Sequence, residues 1–417
     1  MSNVHIVGAG VAGLAAAVRL AGAGRKVFLH ESSGHAGGRC RSFHDSALDC
    51  TIDNGNHLLL SGNRSARAFL EEIGAGDTLM GPRDARFPFV DIATGERWTV
   101  RLGSGRVPWW VLQADCRPPG TSVSDFLSII RLAWARPDAT VASLFGQTGA
   151  FFTRFLEPLA VAALNTPLDR AAAGPLWQVF RETFAQGGAA CRPLIARDGL
   201  SDSFVSPALA YLDANNAATC FNRRLREVAT EANRAVRLEF TDGSIDLTRD
   251  DTVILAIPPA GLNGLLPEIP VPEGNHAIVN VHFKLPQAPA FADESPVLGV
   301  LNGIAEWLFL RGRVLSVTVS ATDALAEKSA AEIADGVWRD IERALDISGE
   351  IPPYRVVKER RATFSQTPDA MRVRPGTLTG YANLFLAGDW TDTGLPATIE
   401  SAIRSGHKAA DAVKAAH

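Results

Sequence analysis

The stretch Val4-His5-Ile6-Val7-Gly8-Ala9-Gly10-Val11-Ala12-Gly13 decides the fold. A short apolar run enters three glycines spaced G-x-G-x-x-G, and residues 14–20 continue as an alanine-rich helix closed by Gly22 and Gly24. Residues 26–30 read as a second strand ending at Glu31. The three glycines serve a tight turn, close backbone approach to a pyrophosphate, and close helix–strand packing. The helix N-terminus then directs unpaired N–H groups at phosphate oxygens. Glu31 follows Gly13 by 18 residues, about where an acid bonds a ribose 2′-hydroxyl. Glycine-rich turns alone are common. The flanking strands and the acid make this one a dinucleotide-binding βαβ unit and predict a Rossmann-like α/β (mixed α+β) fold.

Working outward, two more polar glycine clusters follow, Gly37-Gly38-Arg39-Cys40-Arg41-Ser42 and Asp53-Asn54-Gly55-Asn56-His57. Arg39 suits neutralising a diphosphate, and the second cluster suits bringing backbone against a cofactor ring. The plain alternative is two surface turns. Near the far end, residues 383–387 read as a buried strand, Gly388-Asp389 as a turn and residues 398–413 as a helix that closes the first unit. No second dinucleotide unit is visible. One unit, a following Gly-Gly-Arg and a terminal strand–turn–helix fit FAD better than NAD. A helix N-terminus at the flavin edge stabilises the negative charge of the reduced ring. Asp389 either bonds the ribityl chain or a diphosphate-bound water, or is an ordinary helix-approach turn.

The rest of the chain narrows the class. Its 417 residues carry 41 basic and 45 acidic side chains, a net charge of -4, and 46% are apolar. That supports a large core and argues against disorder and against nucleic-acid binding, which favours a basic excess. Five cysteines without a C-x-x-C pair suit a reducing cytosol, with neither a disulfide framework nor a zinc site, so no metal is expected. Residues 4–18 are apolar but lack a basic n-region and are broken by glycines, unlike an export signal. No apolar run reaches the ~18 residues of a membrane span.

Residues 63–73 pattern as an amphipathic helix stopped by Gly74, and Ser122-Val123-Ser124-Asp125 opens a helix to about Trp134. Residues 151–164 are helical with Pro158 expected to kink them, and residues 176–184 are helical again. Residues 105–190 hold 4 of the 8 Trp and 7 of the 20 Phe, while the whole chain has only 3 Tyr. This defines an aromatic-rich helical insert. Strand patterns return at residues 236–257, with a hairpin signal at Thr241-Asp242-Gly243-Ser244, and again between 278 and 320. The expected organisation is a cofactor unit (1–62, 191–265 and 355–417), a substrate unit (63–104 and 266–354) and the insert at 105–190.

Longer stretches carry a resemblance. Asp53-Asn54-Gly55-Asn56-His57-Leu58-Leu59-Leu60, Glu157-Pro158-Leu159 with Ala163-Leu164-Asn165-Thr166-Pro167, Arg360-Arg361-Ala362-Thr363-Phe364, and above all residues 383–402 through Gly388-Asp389-Trp390-Thr391 and Gly394-Leu395-Pro396-Ala397-Thr398 resemble the amine oxidase and carotenoid desaturase superfamily of flavoproteins. Within it the chain looks like the squalene-associated FAD-dependent desaturases, understood as hydroxysqualene dehydroxylases. One departure is Asn56, where that family is expected to carry Gln. The resemblance, with the βαβ reading, implies a cofactor set of Gly8, Gly10, Val11, Ala12, Gly13, Glu31, Ser32, Gly38, Arg39, Asn54, Gly55, Asn56, Leu225, Gly388, Asp389, Thr398 and Ile399. It implies FAD-dependent reductive dehydroxylation of hydroxysqualene to squalene, with an external electron donor. His57 is the candidate proton donor, or it merely bonds cofactor or backbone.

Rival readings remain at this point. A carotenoid desaturase shares the fold and an apolar substrate but oxidises it. An amine oxidase usually places an aromatic on the approach to the last helix, where this chain has Pro396-Ala397-Thr398-Ile399-Glu400. Rab GDP-dissociation inhibitors share the architecture and carry isoprenoids without redox chemistry. A long isoprenoid gains about 0.8 kcal/mol per buried CH₂ and stays in lipid. The protein is therefore expected to be cytoplasmic and peripheral at the inner face of the cytoplasmic membrane. Val107-Pro108-Trp109-Trp110-Val111-Leu112 is either the membrane-facing segment or part of the tunnel or core.

Overall fold

The computed structural model describes residues 2–416. Strands Asn3–Val7, Lys26–His30, Ala218–Cys220, Thr252–Leu255 and Leu384–Leu386 form an all-parallel sheet, with Asn3–Val7 between Lys26–His30 and Thr252–Leu255. Such a sheet is buried on both faces and needs near-continuous apolar strands, and Val4, Ile6, Val253, Ile254, Leu384 and Leu386 are wholly buried. Helices Val11–Gly22 and Ile399–Ala415 pack on one face in mutual contact. Gly406 allows the approach, since a Cβ there would lie 2.1 Å from the Ala12 carbonyl oxygen. The last helix thus brings its N-terminus to the cavity that the first glycine turn also lines.

A second, mixed sheet of seven strands runs in the order Tyr354–Phe364, Asn275–Lys284, Val314–Val319, Trp307–Arg311, Val297–Leu301, Ala85–Asp91, Arg97–Leu102. Its period-two alternation separates two environments. Val279, Val281 and Phe283 join the apolar core with helix Ala330–Leu345, whereas Ile278, Asn280, Thr318, Trp307 and Phe309 line a cavity on the other face. Ser329 and Glu332 start that helix as a capping box.

The insert begins as its composition predicts. Ser122 and Asp125 cap one another, but the α-helix ends at Leu127 and continues as a 3₁₀ helix, Ser128–Trp134. The kink expected at Pro158 is a π-helical turn, Phe152–Leu156, leading directly into helix Glu157–Leu164. A proline has no N–H for the preceding turn, and a π turn is one way to absorb its ring.

Two segments pack differently from the expected partition. Tyr354–Phe364 lies mostly within the expected cofactor unit, yet it pairs antiparallel with Asn275–Lys284 in the seven-stranded sheet. Helix Arg64–Glu72 lies within the expected substrate unit. Its Ala66, Phe69 and Leu70, with Ile73, instead bury against the helices flanking the parallel sheet. Amphipathicity reveals that a face is buried and not which neighbour buries it.

Candidate active site

At the first turn, Gly8 has φ +104, and a Cβ on it would lie 2.3 Å from the Ala256 carbonyl oxygen. A Cβ on Gly13 would lie 1.9 Å from the Gly8 carbonyl oxygen. These two glycines are demanded by packing. Gly10 differs: it is the N-cap of helix Val11–Gly22, no side chain caps it, and nothing stands within 4 Å of its missing Cβ. The result is a cradle of free N–H groups with room for a phosphate. Glu31 accepts hydrogen bonds from the Ala9 N–H (2.8 Å), the Ser33 N–H (2.8 Å) and the Ser32 hydroxyl (3.1 Å), which orient its carboxylate beside the turn. The Gly37 N–H donates to the Ala9 carbonyl, placing Gly38 against Gly10.

From there Arg39 reaches across the cavity, donating to the Asp389 carboxylate at 2.8 Å and to the Ala362 carbonyl. The Gly388-Asp389 turn is held from behind by Arg374. This buried guanidinium donates to the carbonyls of Trp390 (3.2 Å), Leu395 (2.8 Å), Asp389 (3.0 Å) and Thr391. Thr398 caps the last helix through the Ser401 N–H at 3.2 Å. Within the first turn, the buried Glu400 carboxylate accepts from the Ser65 N–H (3.0 Å), the Ala66 N–H (2.8 Å) and Arg404 (2.9 Å). Glu400 therefore caps a neighbouring helix from within its own.

These groups surround one cavity of about 950 Å³, near the upper end for small-molecule sites. The glycine turn, Arg39, Asp389 and the N-terminus of the last helix form one end, and Leu58, Leu60, Phe87, Leu159, Phe180, Phe184, Trp307 and Phe309 supply apolar walls. Between them stand Asn54, Gly55, Asn56 and His57, with Asn280 and Thr318 hydrogen-bonded to Asn56. His57 is half-buried, and desolvation lowers its pKa to about 4, so the ring is neutral at ordinary pH. That weakens the imidazolium reading, although a neutral ring can still donate one N–H. Among the described residues no cluster of His, Cys, Asp or Glu could hold a metal.

The site fits a flavin dinucleotide in three respects visible in the structure: the cradle at Gly10, the oriented Glu31 and the cationic Arg39. The model of the flavin-containing amine oxidoreductases matches residues 11–414. The chain belongs to that family. The hydroxysqualene dehydroxylase of Sinorhizobium fredii is 48% identical, aligned over 98% of this chain and 97% of its own. A probable zeta-carotene desaturase of Synechococcus elongatus is 24% identical over 99% and 98%. Among solved structures, the cyclohexylamine oxidase of Brevibacterium oxydans superposes with a TM-score of 0.72 at 16% identity, covering 99% of this chain and 98% of that one. The chain is thus an FAD oxidoreductase of this family, far nearer in sequence to the dehydroxylase than to the desaturase.

Of the residues expected to hold the cofactor, Gly8, Gly10, Val11, Ala12, Glu31, Ser32, Gly38, Arg39, Asn54, Gly55, Asn56, Gly388, Asp389, Thr398 and Ile399 line this cavity together with His57. Gly13 stands behind the turn as a packing residue. Leu225 lies outside this cavity lining, pairs with Phe240 in the small antiparallel sheet and packs against the core that this sheet shares with strands Thr252–Leu255 and Leu384–Leu386. The aromatic excess is only partly a lining. Phe180 and Phe184 face the cavity, whereas Trp110, Phe126, Phe151 and Phe155 stack on one another, with adjacent centroids 4.9–5.7 Å apart. Arg374, Glu400, Asn280 and Thr318 escaped the sequence reading. Asn280 had a signal, a lone amide inside the apolar run Ile278-Val279-Asn280-Val281.

Proposed function

We propose that the protein removes the allylic hydroxyl of hydroxysqualene reductively, giving squalene. The observation that carries this is 48% identity, over 98% of the chain, to a hydroxysqualene dehydroxylase, together with a cavity that has one polar band between a nucleotide cradle and apolar walls. The net change is replacement of C–OH by C–H with release of water, and it consumes one hydride and one proton. FAD would be held along Gly10, Glu31, Arg39 and Asp389 and, once reduced by an external donor, would supply the hydride. The chain's residues do the rest. The apolar walls exclude water from a developing allylic cation, and Phe180, Phe184, Trp307 and Phe309 offer it π faces. The polar band orients the hydroxyl, and the neutral His57 stands there as a group able to donate one N–H hydrogen bond to the leaving oxygen, the proton that completes the water being drawn from solvent.

In the same reading, residues 1–62 with 191–265 and 355–417 serve the cofactor, 63–104 with 266–354 the hydrocarbon, and 105–190 access, save that helix Arg64–Glu72 packs with the cofactor unit and strand Tyr354–Phe364 joins the substrate sheet. No described helix is long and apolar enough to cross a membrane. Surface contact with a bilayer is supported by where apolar side chains are exposed. Among the described residues, six of the eleven large exposed ones, Val107, Trp109, Leu112, Leu127, Ile130 and Trp134, fall within residues 107–134. Trp109 points out while Trp110 is buried against Phe126, so the two indoles divide between surface and core.

The decisive experiment is anaerobic. The purified holoenzyme is reduced chemically and given hydroxysqualene. Squalene should appear in step with flavin reoxidation. Flavin that stays reduced, with no squalene, rejects the reading, and dehydrogenated hydrocarbon formed by oxidised enzyme would replace it with a desaturase.

A further inference from the structure

Asn280 is 1% exposed, and its side-chain orientation is forced by its neighbours. Its Oδ1 accepts from the Asn56 backbone N–H (3.3 Å), the Asn56 Nδ2 (3.3 Å) and the Thr318 hydroxyl (2.8 Å). A backbone N–H can only donate, so the atom facing it is the oxygen and the amide cannot be turned over. Thr318 reinforces the choice, since its hydroxyl accepts from Asn56 Nδ2 (3.0 Å) and so gives its own proton to Asn280. The amide nitrogen is therefore turned away from this network. It finds no acceptor among the described residues, and it lies 3.2 Å from where a Cβ on Gly55 would stand. Asn280 and Gly55 both line the cavity. Gly55 has no side chain to cover the amide.

The nitrogen is not sealed in protein but reaches the cavity, and a donor in a cavity wall with no protein acceptor marks a place where a ligand oxygen fits. The surrounding chemistry narrows the ligand. Beyond Thr318, on the next strand but one of the same sheet face, Trp307 and Phe309 line the cavity. A neutral donor in a narrow polar band bounded by apolar walls suits one hydroxyl on a hydrocarbon better than a carboxylate or phosphate. Resting on the substrate reading above, we propose that Asn280 Nδ2 donates a hydrogen bond to the substrate's hydroxyl oxygen, registering the chain in the cavity and assisting departure of that oxygen as water. Asn56 and Thr318 act as positioning residues that hold the amide in this sense.

The test compares holoenzyme binding of hydroxysqualene and of squalene, read from perturbation of the flavin absorbance, together with turnover across pH. Asn280→Leu should weaken hydroxysqualene binding about ten-fold and leave squalene binding unchanged. It should also lower kcat by about 10²-fold. Asn280→Asp keeps an oxygen for Asn56 and Thr318 and loses the donor. Its activity should be low when the carboxylate is ionised and recover as pH falls and the acid regains an O–H, a recovery that Asn280→Leu lacks. Should the Asn280 variants fail to fold, Gly55→Ala covers the amide with a methyl group and should reduce hydroxysqualene binding in the same direction. An amide that serves only to pack the sheet would lower thermal stability in these variants without changing the preference for alcohol over hydrocarbon, and that result overturns the proposal. An altered flavin spectrum in the ligand-free variants, with that preference intact, would assign the amide to the cofactor and overturn it too. Wild-type enzyme that distinguishes neither ligand refutes the substrate reading and the amide's role together, whereas wild-type preference retained in Asn280→Leu refutes the amide's role alone.

Discussion

Removal of the Glu400 carboxylate should loosen the cofactor end of the cavity before it affects the hydrocarbon end. The side chain is 4% exposed and satisfies two N–H groups at the first turn of helix Arg64–Glu72, at 3.0 and 2.8 Å, besides pairing with Arg404 at 2.9 Å. A hydrogen bond to a charged group contributes about 1.5–3 kcal/mol, and stripping one partner from a buried ionic cluster costs about 3–5 kcal/mol. Arg404 keeps a second carboxylate, Glu182, at 2.5 Å, so the uncompensated loss falls mainly on the helix start. Glu400→Ala is therefore expected to destabilise the protein by about 3 kcal/mol. Glu400→Gln, which retains one acceptor oxygen and the shape, should cost about half of that. Thr398 and Ile399 line the cavity immediately before Glu400, so FAD affinity should fall as well, by about ten-fold or 1.4 kcal/mol. Thermal melts of the apoprotein and FAD titration by fluorescence quenching read the two effects separately. A Glu400→Ala protein with wild-type melting temperature and FAD affinity would show that water or a rearranged Glu182 replaces the carboxylate, and the capping argument would fall.

The glycines make a paired prediction. Gly10→Ala, facing open space, should leave apoprotein stability near wild type while weakening FAD binding, whereas Gly406→Ala, with its Cβ 2.1 Å from the Ala12 carbonyl oxygen, should cost about 1–3 kcal/mol in melts of the apoprotein. Equal melting temperatures for the two variants would contradict this. Trp109→Ser/Trp134→Ser should release the protein from liposomes in a sedimentation assay without altering FAD content, because both indoles are exposed. Undiminished sedimentation removes the membrane role. Acid should destabilise the fold. Burial lowers the pKa of His30 to about 3 and those of His282 and His407 to about 4, from 6.5. The unfolded chain thus binds more protons between pH 6.5 and about 4, and stability is lost as pH falls through that window, at up to about 1.4 kcal/mol per pKa unit for each group. Melting temperatures that stay level from pH 7 to pH 4.5 would rule this out, and His282→Gln should flatten the decline.

What could be read in advance follows from the range of the physics involved. The first turn was legible because its constraints are local: a glycine at positive φ, a glycine against a carbonyl and an uncapped helix start all lie between Gly8 and Gly13. The stretch from Asn383 to Ala402 was legible for a different reason, its length and unusual composition, which carried the resemblance without explaining it. The explanation lies in Arg374, whose four carbonyl partners between Asp389 and Leu395 sit on a turn that no periodicity marks. Helix Arg64–Glu72 shows the limit of pattern: an apolar face announces burial, while its partner is chosen by topology. The same limit explains the aromatics, which composition counts together and packing divides among an exterior indole at Trp109, a stacked core at Phe126 and Phe155, and a cavity wall at Phe180. Asn280 joins the two cases. An amide among β-branched neighbours was visible as an anomaly, yet it acquires a direction only when strand pairing sets Thr318 beside it and the loop at Asn56 supplies a backbone N–H. The group most closely tied to the chemistry is therefore the one whose meaning depends on three segments distant in sequence.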